Sequence, residues 1–293
     1  MTVFDSIFQI IKAPMAIMQS CGNELRFQCA NPAFTKLVGC SETELRSKPP
    51  HQLFTAWNEG ICYKEQGTTS CLLNQNLSSR QIQLRLTWQS IEDAEQPSHL
   101  LVAEDISAKA WITMMSQSQN VMISGVTNSD FIIHQVDQNY PLPMISGDIV
   151  VERQSAFSFV EESEKERIMQ TIGRAVEQKQ AESLIVQTNR IADVCQLEVH
   201  VTICPFFNGD GSLEQYGFVV SDLRPIPDKN DPSVTLKILM ARHNISTQQL
   251  SEVTGISQQT ISKLRNGKIR KPQRLTAELI AAELLVAPQQ IWP

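Results

Sequence analysis

Apolar and polar residues alternate along RQIQLRLTWQSI, residues 80–91, with Ile82, Leu84, Leu86 and Trp88 falling on one side. A period of two predicts a half-buried strand. RFQCA (26–30) and HLLVAEDI (99–106) read as further strands of the same region. Between the first two of these, NPAFTKLVGCSETELRS (31–47) predicts helix, turn, helix. Gly39 serves there as a C-cap, and Ser41 opens a capping box that Glu44 completes. The succession then returns in looser form. FIIHQVD (131–137) reads as a strand, residues 165–182 as an amphipathic helix with Ile168, Ile172, Ala175 and Val176 on one face, and CQLEVHVTICPFF (195–207) as a long strand. Asn208-Gly209-Asp210-Gly211 supplies a hairpin turn into a last strand. AKAWITMMSQSQ (108–119) predicts a helix joining the two copies.

Strand spacing stops near LRPIPDKNDPS, Leu223 to Ser233, where Pro225, Pro227 and Pro232 predict a stiffened linker. From Val234 onward only helical spacing remains. LKILMARHN forms one helix. Ser246 begins the next with a capping box to Gln249, its Leu250 and Val253 facing inward. Gly255 ends that helix, Ile256 plugs the turn and Ser257 caps a following helix. Wound at about 100° per residue, that last helix gathers Thr260, Ile261 and Leu264 on one side. Gln258, Gln259, Ser262 and Lys263 gather on the other. TAELIAAELLVAPQQIW (276–292) supplies the remaining helices, with Leu279, Ala282 and Leu285 as their core.

The charge sharpens this division. The whole chain of 293 residues carries a net −6, but residues 229–293 hold nine basic and four acidic residues, net +5, against −11 for residues 1–228. A basic module on an acidic body predicts a polyanionic partner for the module alone. A glutamine amide presents a donor beside an acceptor, which matches the N6 and N7 edge of adenine in the major groove. Lys268, Arg270, Lys271 and Arg274 suit phosphates, which give affinity without sequence information.

Other classes find less support. Seven cysteines, an odd number with no C-x-x-C pair, suggest neither a disulfide framework nor a zinc site. No apolar run approaches the roughly 18 residues that span a bilayer. The apolar start MTVFDSIFQIIKAPMAIM has Asp5 ahead of Lys12 and no basic lead, so a cytoplasmic protein is expected. No phosphate-binding glycine loop, kinase core or H-E-x-x-H occurs, and no enzyme is expected.

Two resemblances follow from these residues. CANPAFTKLVGCSETEL and AEDISAKA resemble the PAS-domain pattern, with Ser107 where the family's Asp-Ile-Thr ending has Thr. FSFVEESEKERIMQTI and the hairpin before VVSDL resemble it more weakly. The stretch ISTQQLSEVTGISQQTISKLRNGK resembles the Cro/cI helix-turn-helix (XRE) family, and TISKLRNGK followed by KIRKP is similar to the lambdoid phage repressors. The resemblances imply an α+β chain of two tandem PAS domains, each an antiparallel five-stranded sheet with flanking helices, followed by an all-α helix-turn-helix domain. The expected divisions are 1–110, 111–224, a Pro-rich linker 225–233, and 234–293. On the family pattern Gln258, Gln259 and Lys263 fall on base-reading positions. Thr247, Asn266, Lys268 and Lys271 fall on phosphate-contacting ones. Thr247 stands where many relatives have glutamine, which implies either a shorter contact or one shifted to Gln248. Ser257 and Ser262 complete the DNA-facing set.

The implied function is a sequence-specific transcription regulator binding a double-stranded DNA operator, with PAS domains that sense a small molecule, mediate a homodimer, or both. The alternative is a PAS-based scaffold whose helical tail docks onto a protein. No cofactor or metal is required. The flavin-type Asn-Cys-Arg-Phe sequence is absent, residues 165–182 contain no histidine for haem, and His51 follows Pro49-Pro50 in what reads as a loop. A small organic effector in the second PAS domain is expected, near His134 and His200 in its strands and Met144, Phe157 and Phe159 in its walls.

Overall fold

The computed structural model describes residues 3–21, 24–55, 57, 65–74, 81–91, 97–139, 151–190, 196–226 and 231–293. The chain divides into two compact units, Met1–Trp111 with Pro205–Gln215, and Ile112–Cys204 with Tyr216–Pro293.

In the first unit, α1 (Val3–Ile10) leads into β1 (Met15–Cys21) and β2 (Glu24–Ala30), then α2 (Pro32–Val38), α3 (Glu42–Ser47), α4 (Pro50–Leu53), β3 (Gln66–Leu72), β4 (Gln83–Ile91) and β5 (Ser98–Asp105). The strands form one antiparallel sheet in the order β2-β1-β5-β4-β3. The alternation read from the sequence holds on β4, where Leu84, Leu86 and Trp88 are buried and their neighbours exposed. Phe34, Leu37, Leu45 and Leu53 from the three short helices pack in the same core as that face. His51 sits in a helix rather than a loop, because Pro50 occupies N1, where a missing N–H breaks no bond.

Fully buried Asn31 ties this layer together. Its Oδ1 accepts from the Phe34 N–H at 2.9 Å, capping α2, and from the Met15 N–H at 3.0 Å. Its Nδ2 donates to the carbonyls of Ala13 at 2.8 Å and Ile11 at 3.1 Å. Gly39 ends α2 in the left-handed region, φ 65°, and Ser41 and Glu44 form the expected capping box on α3. The Asn208–Gly211 turn packs here, its Gly209 N–H donating to the Leu37 carbonyl at 2.8 Å.

α5 (Ser107–Ser118) is the expected joining helix. The second sheet contains β6 (Ile123–Asn128), β7 (Ile133–Gln138), β8 (Glu182–Gln187), β9 (Leu197–Phe207) and β10 (Leu213–Pro225), in the order β7-β6-β10-β9-β8. That order repeats the first sheet position for position. Both are five-stranded antiparallel sheets with flanking helices. α6 (Lys165–Gln178) buries Ile168, Ile172 and Ala175. It stops earlier than the helical spacing suggests, because Lys179 turns left-handed at φ 53° and donates to the carbonyls of Ala175 and Val176. The residues that follow are β8, whose buried Leu184 and Val186 alternate with exposed Ile185. β10 also runs further than expected: Leu223 to Pro225 belong to the strand and not to a linker.

α7 (Pro232–Arg242) starts at Asp231, whose side chain accepts from the Ser233 N–H. It is apolar on two stripes. Leu236, Leu239 and Met240 join the core of the helices that follow, while Ile238, with Val234 and Ala241, packs on Met122, Leu197 and Leu223 of the sheet. Arg242 forks onto Asp222 of β10, Nε to Oδ1 at 2.6 Å and Nη2 to Oδ2 at 3.0 Å. Burial alone would raise the Asp222 pKa. The hydrogen bonds and charge of Arg242, then of Arg224, hold it below the ordinary carboxylate range instead. This pair therefore contributes stability at neutral pH that is lost only as the pH falls through the depressed value. α8 (Thr247–Thr254), α9 (Gln258–Arg265) and α10 (Arg274–Glu283) complete the chain, closed by a 3₁₀ turn at Pro288–Gln290.

The core of α10 is Ile280, Ala281 and Leu284. The expected trio of Leu279, Ala282 and Leu285 faces outward, with Leu279 40% and Leu285 79% exposed. Leu285 lies beyond the helix at φ 55°, so helical spacing does not extend to it. Val253 is likewise outward, 61% exposed.

A methyl group added at Gly39 would lie 2.2 Å from the Gly209 carbonyl oxygen. Gly39→Ala is expected to destabilise the first unit by about 1–2 kcal/mol through the left-handed backbone alone, and further by displacing the turn. Thermal denaturation, with amide exchange at Gly209, measures both effects.

Candidate nucleic-acid interface and an apolar cavity

The turn between α8 and α9 is built from local chemistry. Ser246 and Gln249 form the predicted capping box at the start of α8. Gly255 turns left-handed at φ 71°, where a side chain would be strained, and donates to the Ser251 carbonyl at 2.9 Å. Ser251 Oγ in turn donates to the Ile256 carbonyl at 2.6 Å, fixing the plug. Ser257 caps α9, accepting from the Thr260 N–H at 3.2 Å.

Packing then decides which way α9 faces. Ile261 and Leu264 are buried against Leu236, Leu250 and Ile280. Gln258, Gln259 and Lys263 are consequently exposed, with Ser262 half-buried beside them. Asn266, Lys268, Arg270, Lys271 and Arg274 follow on exposed positions. Several candidates are already engaged, Asn266 Nδ2 among them, donating to Ser262 Oγ at 3.4 Å. Ser257 has its hydroxyl in the cap. Gln248 Nε2 donates to Glu252 at 3.0 Å. Arg274 Nε donates to Glu278 at 2.7 Å, although the side chain stays 92% exposed. The negative charge of Asp231 lies near Arg270 and is held by hydrogen bonds from Ser233 below its ordinary pKa. Half-buried Thr247 accepts from Arg265 Nη1 at 3.1 Å, which links the start of α8 to the end of α9.

Arg265 was not among the sequence candidates. The signal was present, since Gln258, Ser262 and Arg265 stand at i, i+4 and i+7 and share one face of the helix.

The second site is a cavity of about 220 Å³ inside the second sheet. Phe157 and Phe159 line it, as expected. His134 and His200 do not. On β9 Val199 and Val201 face the cavity, so the strand period turns His200 to the other face, and His134 on β7 is exposed as well. His200 Nδ1 lies 3.2 Å from Ser221 Oγ there. Met144 falls outside the described residues. Three further aromatics line it, Phe131, Tyr216 and Phe218. Phe131 is held at φ 62° by Asn128, whose Oδ1 accepts from the Asp130 and Ile132 N–H groups. Its ring stacks on Tyr216 at 5.1 Å and meets Phe157 edge-on at 5.0 Å. No period in the sequence marks a residue placed by such a turn.

Two helices crossing at a glycine turn, the second with a polar outer face, define a helix-turn-helix. Residues 235–292 match the family model of the Cro/C1-type HTH DNA-binding domain. Over those residues the chain is similar to DNA-binding domains of that type. Solved structures similar to the chain are PAS domains. One is from nitrogen regulation protein NR(II) of Vibrio parahaemolyticus, at 16% identity and TM-score 0.29, covering 36% of this chain and 100% of that one. Another is from an HTR-like protein of Haloarcula marismortui, at 10% identity and TM-score 0.31, covering 35% and 94%. A third is from a sensory box sensor histidine kinase/response regulator of Geobacter sulfurreducens, at 17% and 0.29, covering 35% and 90%. Comparison with curated proteins gave no match. Among the described residues no helix is long and apolar enough to cross a membrane.

Because the Ser257 hydroxyl is committed to the cap, Ser257→Ala is expected to lower the stability of the helical domain by about 1 kcal/mol. A thermal denaturation curve followed at Trp292, which packs against that core, reads the loss. Ser257→Asp, which restores a cap acceptor, is expected to recover it.

Proposed function

We propose that the chain is a sequence-specific transcription regulator. The observation that carries this reading is α9, where burial of Ile261 and Leu264 leaves Gln258, Gln259 and Lys263 exposed ahead of a basic run. That is the arrangement of a recognition helix that enters a major groove with its N-terminal residues on base edges. Gln258, Gln259 and Lys263 read bases, and Arg265, Lys268, Arg270 and Lys271 hold phosphates. One such module makes few base contacts, so the chain works as a homodimer on two half-sites about one helical turn apart. The exposed stripe of Val3, Ile7 and Ile10 on α1 supports contact with a second copy. The cavity of the second sheet supports a small-molecule effector that biases one dimer arrangement over another. No catalytic step is assigned to the chain, and its place is with DNA in the cytoplasm.

Selection of a preferred duplex from a random pool, followed by anisotropy titration over a range of salt, tests the reading. The expected slope of log K against log salt is on the order of −4 or steeper, the value for four or more phosphate contacts. Replacing Gln258 and Gln259 together by alanine is expected to remove about 1–3 kcal/mol of preference per lost base contact while leaving non-specific binding in place. Absence of duplex binding at low salt would show instead a helical tail that serves a protein partner. A native mass spectrum of the same sample reports the number of subunits.

A further inference from the structure

The cavity and the seat of α7 share residues. Leu197 and Leu223 line the cavity, and with Met122 and Ile238 they form the buried cluster on which α7 rests. Ile123 and Val199 stand in both environments as well. Asp222, next to Leu223 on β10, grips Arg242 at the end of α7. Only one layer of side chains separates the cavity from the helix that also carries Leu236, Leu239 and Met240 into the DNA-binding core. Interiors packed at crystal density pass a displaced wall residue on to its neighbours.

The lining restricts what the cavity can hold. Among the described residues no charged side chain lines it, and the only hydroxyls are those of Thr127, Thr188 and Tyr216. Thr127 Oγ1 already donates to the Asn128 carbonyl at 3.1 Å, and Thr188 Oγ1 accepts from the Leu197 N–H at 3.0 Å. Burial raises the Tyr216 pKa, which keeps the phenol neutral. An ion would lose its water and gain no charged partner. The wall of Phe157, Phe131 and Tyr216, edge-on then stacked, favours a flat ring. A dry pocket of about 150 Å³ takes up benzene, and this one measures about 220 Å³.

We propose that the cavity takes an uncharged aromatic molecule of one substituted ring or two fused rings, and that the Leu197–Leu223–Ile238 contact transmits its presence to the DNA-binding helices. The proposal rests on the second sheet being the sensor of a DNA-binding regulator.

The test uses the full chain with two probes of equal ring size, naphthol and naphthalenesulfonate. Calorimetry reads binding, and hydrogen exchange reads the amides of α7, with β3 and β4 as an internal reference. Naphthol is expected to bind with the sulfonate about tenfold weaker or worse. Naphthol is also expected to change α7 exchange several-fold while the reference strands stay constant. Val201→Phe narrows the cavity at a residue that does not touch the α7 cluster. It is expected to abolish naphthol binding and the change at α7 while circular dichroism is retained. Should that variant misfold, the two probes on the parent chain still decide. Equal binding of the sulfonate would overturn the ligand class. Naphthol binding with α7 exchange unchanged would overturn the transmission. No binding of either probe would overturn the cavity as a site. Duplex binding measured on the same sample without probe keeps the two ideas apart. A chain that binds DNA and no probe loses only this inference, and one that binds the probe but no DNA loses only the regulatory reading.

Discussion

The character of the second unit follows from one constraint, the two-residue period of β9. Once Leu197, Val199, Val201 and Ile203 turn to the inside, His200 and its neighbours have no access to it. The interior becomes a hydrocarbon chamber instead of a polar or metal-binding pocket. A one-residue slip of that strand would invert the whole surface. The pairing of β9 with β8, Val201 opposite Leu184 and Val199 opposite Val186, fixes the register by placing apolar residues of both strands on the same side. Chemistry inside the sheet is thus determined by strand pairing, before any individual polar group is considered.

A parallel logic governs the DNA-binding end. There the fixed quantity is the angle between α8 and α9, set by left-handed Gly255, the Ser251–Ile256 hydrogen bond and the Ser257 cap. With that angle set and Ile261 and Leu264 inside, the exposure of Gln258 and Gln259 is a geometric remainder. Neither amide is held by a neighbouring side chain among the described residues, and both stay open to solvent. Arg265 behaves differently, since its bond to Thr247 orders it across the two helices.

What could be read in advance was the local chemistry. The Ser41–Glu44 and Ser246–Gln249 capping boxes, the alternation on β4 and the turn at Gly255 each depend on residues within a few positions, and each stands where the sequence put it. Misreadings arose where a distant partner decides. Leu279 and Leu285 are apolar and stand one residue from buried Ile280 and Leu284, and the choice between each pair depends on packing and on the helix end, not on hydrophobicity. The helical spacing over 165–182 overruns the true end at Gln178 because nothing in Gln180-Ala181-Glu182 announces that Lys179 adopts a left-handed backbone. The outward turn of His134 and His200 depends on sheet register. Phe131 enters the cavity through an Asn128 turn whose effect on a ring three residues away has no periodic signature.

α7 belongs to two cores at once, with Ile238 in the sheet's cluster and Leu236, Leu239 and Met240 in that of the helices. The second sheet and the helical domain are therefore not beads on a string, although a proline-rich segment lies between them. A recombination that joins these helices to another sheet at the prolines would strand an apolar stripe of Val234, Ile238 and Ala241 in water and orphan Arg242. Productive shuffling has to carry the end of β10 along with the helices, so the unit of inheritance at this junction is a strand-plus-helix corner, and the two parts can be expected to diversify as a matched pair.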